Sequence, residues 1–160
     1  DRLEPPFIDM HAAEWTGKYD YSLRTDAKRF ETWESFVGGK IGLCRAIEYA
    51  MEWEIELIYQ RIQMLATKLR TSLSQISGIT VQDIGAEKCG IVTFTKLNVE
   101  ATVVKVELAK ENINVSVSPS SSTLLDMEHR KLEAVVRASL HYYNTEDEIT
   151  RFIEVLETIS

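Results

Sequence analysis

Apolar residues recur at steps of three or four over residues 38–74, which is the pattern of a helix with one apolar face. The residues that carry it are Cys44, Ile47, Met51, Ile55, Ile58, Ile62, Leu65, Leu69 and Leu73. A single helix over this range would be about 55 Å long, which is large for a small domain. We therefore expect two helices with a bend near residues 52–56, although no Gly or Pro marks the bend.

Short runs typical of β-strands follow this helical segment. Residues 79–84 form one run, and residues 90–95, rich in β-branched and aromatic side chains, predict the central strand of a sheet. Residues 113–117 and 133–141 alternate between apolar and polar side chains, as half-exposed strands do. In the last run one side carries Ala134, Val136, Ala138 and Leu140, and the other carries Val135, Arg137, Ser139 and His141.

Two further helices complete the pattern. Residues 98–110 show near-helical apolar spacing, with Asn98 placed to cap the first turn. Residues 145–148 read Thr-Glu-Asp-Glu, a capping box that starts a helix running to the end of the chain. Gly78 suits the left-handed position after the long helical segment. The element order predicts an α+β fold: a small, largely antiparallel sheet covered by helices on one face, with a long N-terminal helix or bent helix pair.

Residues 1–34 differ from the rest of the chain because they show no sustained apolar period. They contain Pro5 and Pro6 and several aromatic side chains, as an arm lying across another surface does. The aromatic residues are Trp15, Tyr19, Tyr21, Phe30 and Trp33. We predict an extended arm over residues 1–34 and one compact domain over residues 35–160.

The chain is acidic, with a formal net charge of −7 over 160 residues. Such a surface repels nucleic-acid phosphates and anionic lipid headgroups, so neither nucleic acid nor membrane is expected as a partner. No apolar run approaches the ~20 residues that span a bilayer, and no leader-like segment is recognisable. A cytoplasmic protein is the expectation.

The two cysteines, Cys44 and Cys89, are far apart and have no His or Cys at metal-ligand spacing. We expect both to be buried apolar side chains rather than a disulfide or a zinc site. The three histidines are scattered in the same way, so no metal site is predicted.

One segment near the end of the chain carries a recognisable motif. Residues 137–149 read Arg-Ala-Ser-Leu-His-Tyr-Tyr-Asn-Thr-Glu-Asp-Glu-Ile. They resemble the Arg-x-Ser-x-x-x-Tyr-Asn-Thr-x-x-Glu signature of class V aminotransferases, a group that includes cysteine desulfurases and isopenicillin-N epimerase-like proteins. A second resemblance to that group lies earlier in the chain, in Arg29-Phe30-Glu31, Gly38-Gly39, Gly42-Leu43, Ala46 and Glu48-Tyr49.

The resemblance implies the C-terminal domain of a fold-type I pyridoxal-phosphate (PLP) enzyme, preceded by an arm from the end of an absent large domain. In this family the lysine that holds the cofactor lies upstream, typically after a His, and no His-Lys pair occurs among these residues. We therefore expect that this chain alone binds no PLP and is inactive. The resemblance also implies a homodimer and a small, amino-acid-like substrate.

The resemblance assigns Arg137 to the α-carboxylate of the substrate. A planar guanidinium offers two parallel donors that match a carboxylate, and a strand keeps them aimed. The alternative is a structural ion pair with an acid such as Asp147. Ser139 and His141 share the Arg137 side of the strand and are predicted to bind substrate or orient the arginine. No catalytic residue is expected in this chain.

The segment 118–123 is predicted to be an irregular loop near the substrate. Its candidate residues are Ser118, Ser120, Ser121 and Ser122. Cysteine desulfurases of this group present a nucleophilic Cys here, and a serine hydroxyl has too high a pKa to replace a thiolate. Sulfur transfer through a cysteine persulfide is therefore disfavoured, and Cys89 is no substitute because it enters a predicted core strand.

Residues 32–35 read Thr-Trp-Glu-Ser where desulfurases have Ala-Gly-Thr-Pro, whose Thr reaches the cofactor phosphate of the partner subunit. Thr32 and Ser35 are the candidate phosphate donors, whereas Glu34 would repel that group. This difference favours the epimerase-like and C-S lyase-like branches.

The leading hypothesis is part of a PLP enzyme acting on an amino acid or amino-acid conjugate, by epimerisation, transamination or C-S lysis. The alternative is a non-catalytic module that binds a ligand or forms dimers on a similar α+β fold.

Overall fold

The structure, a computed structural model, describes residues 3–160. The chain divides into two compact units, Asp1–Glu52 and Trp53–Ser160. The assignment of an arm over residues 1–34 and a small domain over residues 35–160 stays a prediction.

The first unit contains a hairpin and a helix. Strand β1 (Ala13–Trp15) pairs antiparallel with β2 (Tyr21–Leu23), and a short 3-10 turn follows at Ala27–Phe30. Helix α1 (Val37–Glu52) buries none of its side chains. Asp9 accepts the backbone N–H groups of His11 and Trp33 at 2.8 and 2.6 Å. These hydrogen bonds, with that of Trp33 foremost, hold the pKa of the Asp9 carboxyl below its ordinary value.

The break in the long helical segment is confirmed. Helix α1 ends at Glu52 and helix α2 (Ile55–Gln75) begins three residues later. Between them Glu54 has a φ of 57°, in the left-handed region that few residues other than glycine adopt. Gly78, after α2, has a φ of +78°, as predicted.

The second unit contains a four-stranded antiparallel sheet with the order β3-β4-β6-β5. The strands are β3 (Ile79–Val81), β4 (Ile91–Lys96), β5 (Ser116–Pro119) and β6 (Ala134–Ser139). Strand β4 lies inside the sheet, as predicted. Strand β5 begins three residues later than the alternation predicted, because Ile113 and Val115 pack against the core just before the strand.

Three helices cover one face of this sheet, which confirms the predicted α+β class. They are α2, α3 (Ala101–Lys110) and α5 (Glu146–Thr158). The buried core that they form with the sheet includes Leu65, Leu69, Leu73, Val92, Phe94, Val104, Leu108, Val136, Ala138, Phe152 and Leu156.

A short helix, α4 (Leu124–Arg130), was not predicted, and its Arg130 reaches Gln82, which follows β3. Thr95 lies on the sheet face opposite the core, since it alternates with the buried Phe94. Its Oγ1 accepts from Gln82 Nε2 at 2.9 Å, and Arg130 Nη2 donates to Gln82 Oε1 at 3.1 Å. The helices therefore do not all lie on one side of the sheet.

The predicted cap of α3 is wrong. The helix begins at Ala101 after Glu100, and no side chain caps it. Asn98 instead takes a left-handed conformation, with a φ of 60°, two residues before the cap position. Asn tolerates this conformation better than most residues, so Asn98 turns the chain rather than capping the helix.

The capping box of α5 is confirmed. Thr145 Oγ1 accepts from the Glu148 N–H at 3.2 Å, and Glu148 Oε2 accepts from the Thr145 N–H at 2.8 Å. The Thr145 N–H and a hydrogen bond from Asn144 hold the pKa of the Glu148 carboxyl below its ordinary value.

Replacing Thr145 with alanine is expected to lower the free energy of unfolding by about 1 kcal/mol, because one helix N–H loses its acceptor. Urea denaturation followed by circular dichroism measures the change. Thr145→Ser keeps the hydroxyl and is expected to retain most of the stability. Equal losses in both variants would contradict a role for the hydroxyl.

Among residues 3–160, no helix is both long and apolar enough to cross a membrane. Within the same residues, His, Cys, Asp and Glu side chains form no group of three suited to a metal ion.

Candidate functional site

Arg137 lies on the sheet face opposite the helical core. Its neighbours along β6, Val136 and Ala138, are buried in that core, whereas Arg137 is exposed. Across the sheet it pairs with Thr93 on β4 and with Ser116 on β5. These three side chains form a polar row in the middle of the outer face, because directly opposed residues project to the same side.

Arg137 and Thr93 approach each other closely. The Thr93 carbonyl accepts from the Gln82 N–H at 2.7 Å, so the backbone groups of Thr93 face the β3 side. Thr93 and Arg137 are therefore a non-hydrogen-bonded pair, in which the Cα atoms lie about 4.5 Å apart and the side chains are closest.

The guanidinium of Arg137 has no acidic partner in the described part of the chain. Its Nε donates a long hydrogen bond of 3.4 Å to Ser139 Oγ, which directs the side chain toward the end of β6. The structural ion pair with Asp147 is not formed, although α5 carries that residue in its first turn. The role of Arg137 in binding a substrate stays a prediction.

An acidic side chain, Asp83, lies beyond β4, just after the end of β3, and it is fully engaged. Asp83 Oδ2 accepts from Arg70 Nε at 2.7 Å, and Asp83 Oδ1 accepts from Thr93 Oγ1 at 2.6 Å and from the Thr93 N–H at 2.8 Å. The side chains of Arg70 and Asp83 are only 12% and 8% exposed. Burial alone would raise the pKa of Asp83, but the hydrogen bonds from Thr93 and Arg70 outweigh it, so the pKa lies below its ordinary value.

His141 follows the end of β6 and stands among aromatic rings. Its ring stacks on Tyr143, with centroids 4.5 Å apart, and its backbone N–H donates to Asn144 Oδ1 at 2.8 Å. Ser139, Tyr143 and Asn144 line a cavity of about 430 Å³ at this end of the strand. Asn144 thus holds the turn that follows β6.

The predicted irregular loop 118–123 is largely regular. Ser118 belongs to β5 and pairs with Val135, and Ser120–Ser122 form a 3-10 turn that leads toward α4. Ser120 donates its backbone N–H to the Glu133 carbonyl at 2.8 Å, which ties the turn to the strand after it. The serine opposite Arg137 is Ser116, which the sequence analysis did not select.

Thr32 and Ser35 lie in the first unit, just before α1, and both are exposed. Thr32 Oγ1 donates to the Glu34 carbonyl at 3.3 Å, and Ser35 Oγ accepts from Lys40 Nζ at 3.2 Å. Lys40 is a cation that the sequence analysis did not select. An ammonium beside a hydroxyl is suited to bind a phosphate group.

The predicted burial of the cysteines is wrong. Cys44 and Cys89 are both exposed and free. Cys44 lies on α1, none of whose residues is buried, and Cys89 precedes β4 instead of entering it. The Cys89 carbonyl accepts from Arg70 Nη2 at 2.6 Å, so the backbone of Cys89 connects the start of β4 to Arg70 on α2.

Known proteins resemble this chain in sequence and in fold. A probable cysteine desulfurase of Pyrococcus abyssi is 29% identical over 160 residues, covering 99% of this chain and 40% of that protein. The apo structure of the cysteine desulfurase from Thermococcus onnurineus NA1 matches with a TM-score of 0.81 at 25% identity, covering 96% of this chain and 38% of that one. A C-DES mutant with glycine covalently linked to its PLP cofactor matches with a TM-score of 0.72 at 21% identity, covering 98% of this chain and 38% of that one.

The chain therefore spans about two fifths of the length of these relatives. The family model for class-V aminotransferases matches residues 3–152. With the fold, the motif and this match in agreement, the chain belongs to the class-V aminotransferase family.

Proposed function

We propose that this chain forms the carboxylate-binding part of a PLP-dependent enzyme that acts on an amino acid or an amino-acid conjugate. The observation that carries the proposal is the guanidinium of Arg137, which is exposed, points away from the core and pairs with no acid among residues 3–160. An arginine held on a strand without a carboxylate partner is suited to receive one from a ligand.

In this proposal Arg137 holds the substrate carboxylate with two parallel N–H donors. Ser139 accepts from Nε and so leaves the terminal Nη groups for the ligand. His141, with its ring stacked on Tyr143, forms one wall beyond them. The serines of residues 118–122 lie on the neighbouring strand and turn, near the same side of the sheet.

PLP, when bound, supplies the electron sink for the chemistry at the substrate carbon. The 160 residues contain no His-Lys pair, so we propose that the lysine that holds the cofactor belongs to another part of a longer polypeptide. Lys40 and Ser35, with Thr32, are the residues of this chain suited to contact the phosphate. We do not propose activity for this chain alone.

Within this class, C-S bond cleavage is the reaction that we favour, since relatives of this chain are named cysteine desulfurases. Residues 118–123 contain no cysteine, so the sulfur would not pass to a thiol of this segment. The alternatives are epimerisation and transamination of an amino-acid substrate. The proposal includes a homodimer in the cytoplasm, which rests on the family resemblance and on composition.

The test uses the longest polypeptide encoded in frame with this chain. Purified with PLP, it is expected to show a visible absorbance band that shifts on addition of L-cysteine or L-cystine, with release of sulfide or pyruvate. Replacing its PLP-linked lysine with alanine is the matched control and should abolish the band. A polypeptide that takes up no PLP would overturn the proposal.

A further inference from the structure

A single residue, Thr93, links Arg137 to a carboxylate of this chain. Asp83 is bound to Thr93 through Oδ1, and Thr93 is the direct cross-strand neighbour of Arg137. Directly opposed residues of a non-hydrogen-bonded pair have Cα atoms about 4.5 Å apart. Because Asp83 lies only one hydrogen bond of 2.6 Å beyond Thr93 Oγ1, a long arginine side chain can span this gap to the carboxylate. An arginine bound to Asp83 would be unavailable to a ligand.

Arg70 prevents this pairing. It reaches from α2 and donates from Nε to Asp83 Oδ2 at 2.7 Å. Its Nη2 also donates to the carbonyls of Cys89 and Ile91, at 2.6 and 3.0 Å, which fixes the guanidinium beside the edge of β4. The charge of Asp83 is thus neutralised from the side opposite Arg137.

We infer that Arg70 is a positioning residue, whose pairing with Asp83 keeps Arg137 free to bind a carboxylate. The consequence of the Arg70–Asp83 pairing for substrate binding rests on the function proposed above. The pairing itself is a property of this chain and can be tested without cofactor or substrate.

Arg130 is another cation near this edge of the sheet, and it is already engaged. Its guanidinium donates to Asp126 Oδ2 at 3.0 Å and to the carbonyl and Oε1 of Gln82 at 2.6 and 3.1 Å. Within residues 3–160, the side chain of Arg137 makes only one hydrogen bond, which is long at 3.4 Å. If Asp83 lost its partner Arg70, Arg137 would therefore break fewer hydrogen bonds than Arg130 in order to pair with it.

The experiment measures the rate at which phenylglyoxal modifies each arginine of the 160-residue chain, by peptide mass spectrometry at mildly alkaline pH. In Arg70→Met the rate at Arg137 is expected to fall about fivefold, since the guanidinium becomes ion-paired. Arg70→Lys keeps the positive charge, and Arg70→Met/Asp83→Asn removes the competing acid. In both, the rate at Arg137 should stay at its original value.

The sign of the change separates this inference from simple destabilisation, because partial unfolding raises the reactivity of arginines throughout the chain. An unchanged or increased rate at Arg137 in Arg70→Met would overturn the inference, as would a loss of reactivity at Arg130 instead. Arg45, 78% exposed in the first unit, serves as the internal reference. If the rate at Arg137 falls in Arg70→Met but the longer polypeptide takes up no PLP, the proposed function is rejected and the inferred role of the Arg70–Asp83 pair is kept.

Discussion

Arg137→Ala in the complete enzyme is expected to lower kcat/KM for its amino-acid substrate about 100-fold, while the melting temperature stays unchanged. A charge-assisted, two-donor contact contributes up to about 3 kcal/mol, and each 1.4 kcal/mol is a factor of ten. The fold should tolerate the change because the side chain is exposed and, in the described part of the chain, makes only the long bond to Ser139. Steady-state kinetics and a thermal melt measure the two quantities.

Two variants sharpen this prediction. Arg137→Lys keeps the charge but offers no planar pair of donors, so it should recover only part of the loss. Lys110→Ala removes an exposed cation of the same unit, whose ammonium pairs with Glu107 on α3, and should leave kcat/KM unchanged. A lowered melting temperature with unchanged kinetics in Arg137→Ala would assign Arg137 a structural role instead.

Asp83→Ala should lower the free energy of unfolding by about 3 kcal/mol, the largest stability effect expected for a single side chain at the sheet edge. The substitution leaves the guanidinium of Arg70, only 12% exposed, without its counter-ion. It also removes the acceptor for both the N–H and the hydroxyl of Thr93. Urea denaturation followed by circular dichroism gives the value.

The Asp83 carboxylate also predicts that the free energy of unfolding falls at acid pH. Because its folded pKa lies below the ordinary value, Asp83 contributes full stability above the unfolded pKa of about 3.9, and this contribution is lost as the pH falls further. Asp83→Asn cannot titrate, so the difference in unfolding free energy between it and the original chain should shrink between about pH 6 and about pH 3. A difference that stays constant over this range would show that the charge of Asp83 does not matter.

Much of the fold could be predicted from local patterns. The apolar period of α2, the capping box at Thr145 and the alternation of β6 are short-range signals, and each was confirmed. Helix α4 was missed because seven residues are too few to establish a helical period, and because it ends at Lys131 in a left-handed conformation without a glycine to mark the end. The prediction that Cys44 is buried was wrong because the apolar face of α1 is not covered within the described residues.

The candidate site could be predicted only in part. The exposure of Arg137 follows from alternation along one strand, which a sequence displays directly. Its neighbours Thr93 and Ser116 depend on which strands pair and in what register, and those pairings join segments about twenty and forty residues apart. The engagement of Asp83 by Arg70 depends in addition on how α2 packs, so only coordinates reveal it.

The two outermost strands of the sheet resist the addition of another strand. Strand β3 has only three residues, and β5 ends at Pro119, which has no N–H to offer a neighbouring chain. Edge-to-edge aggregation of this unit is thereby disfavoured. Contacts between copies through this unit are therefore expected to use side chains on its helices and loops rather than a sheet continued from one molecule into the next.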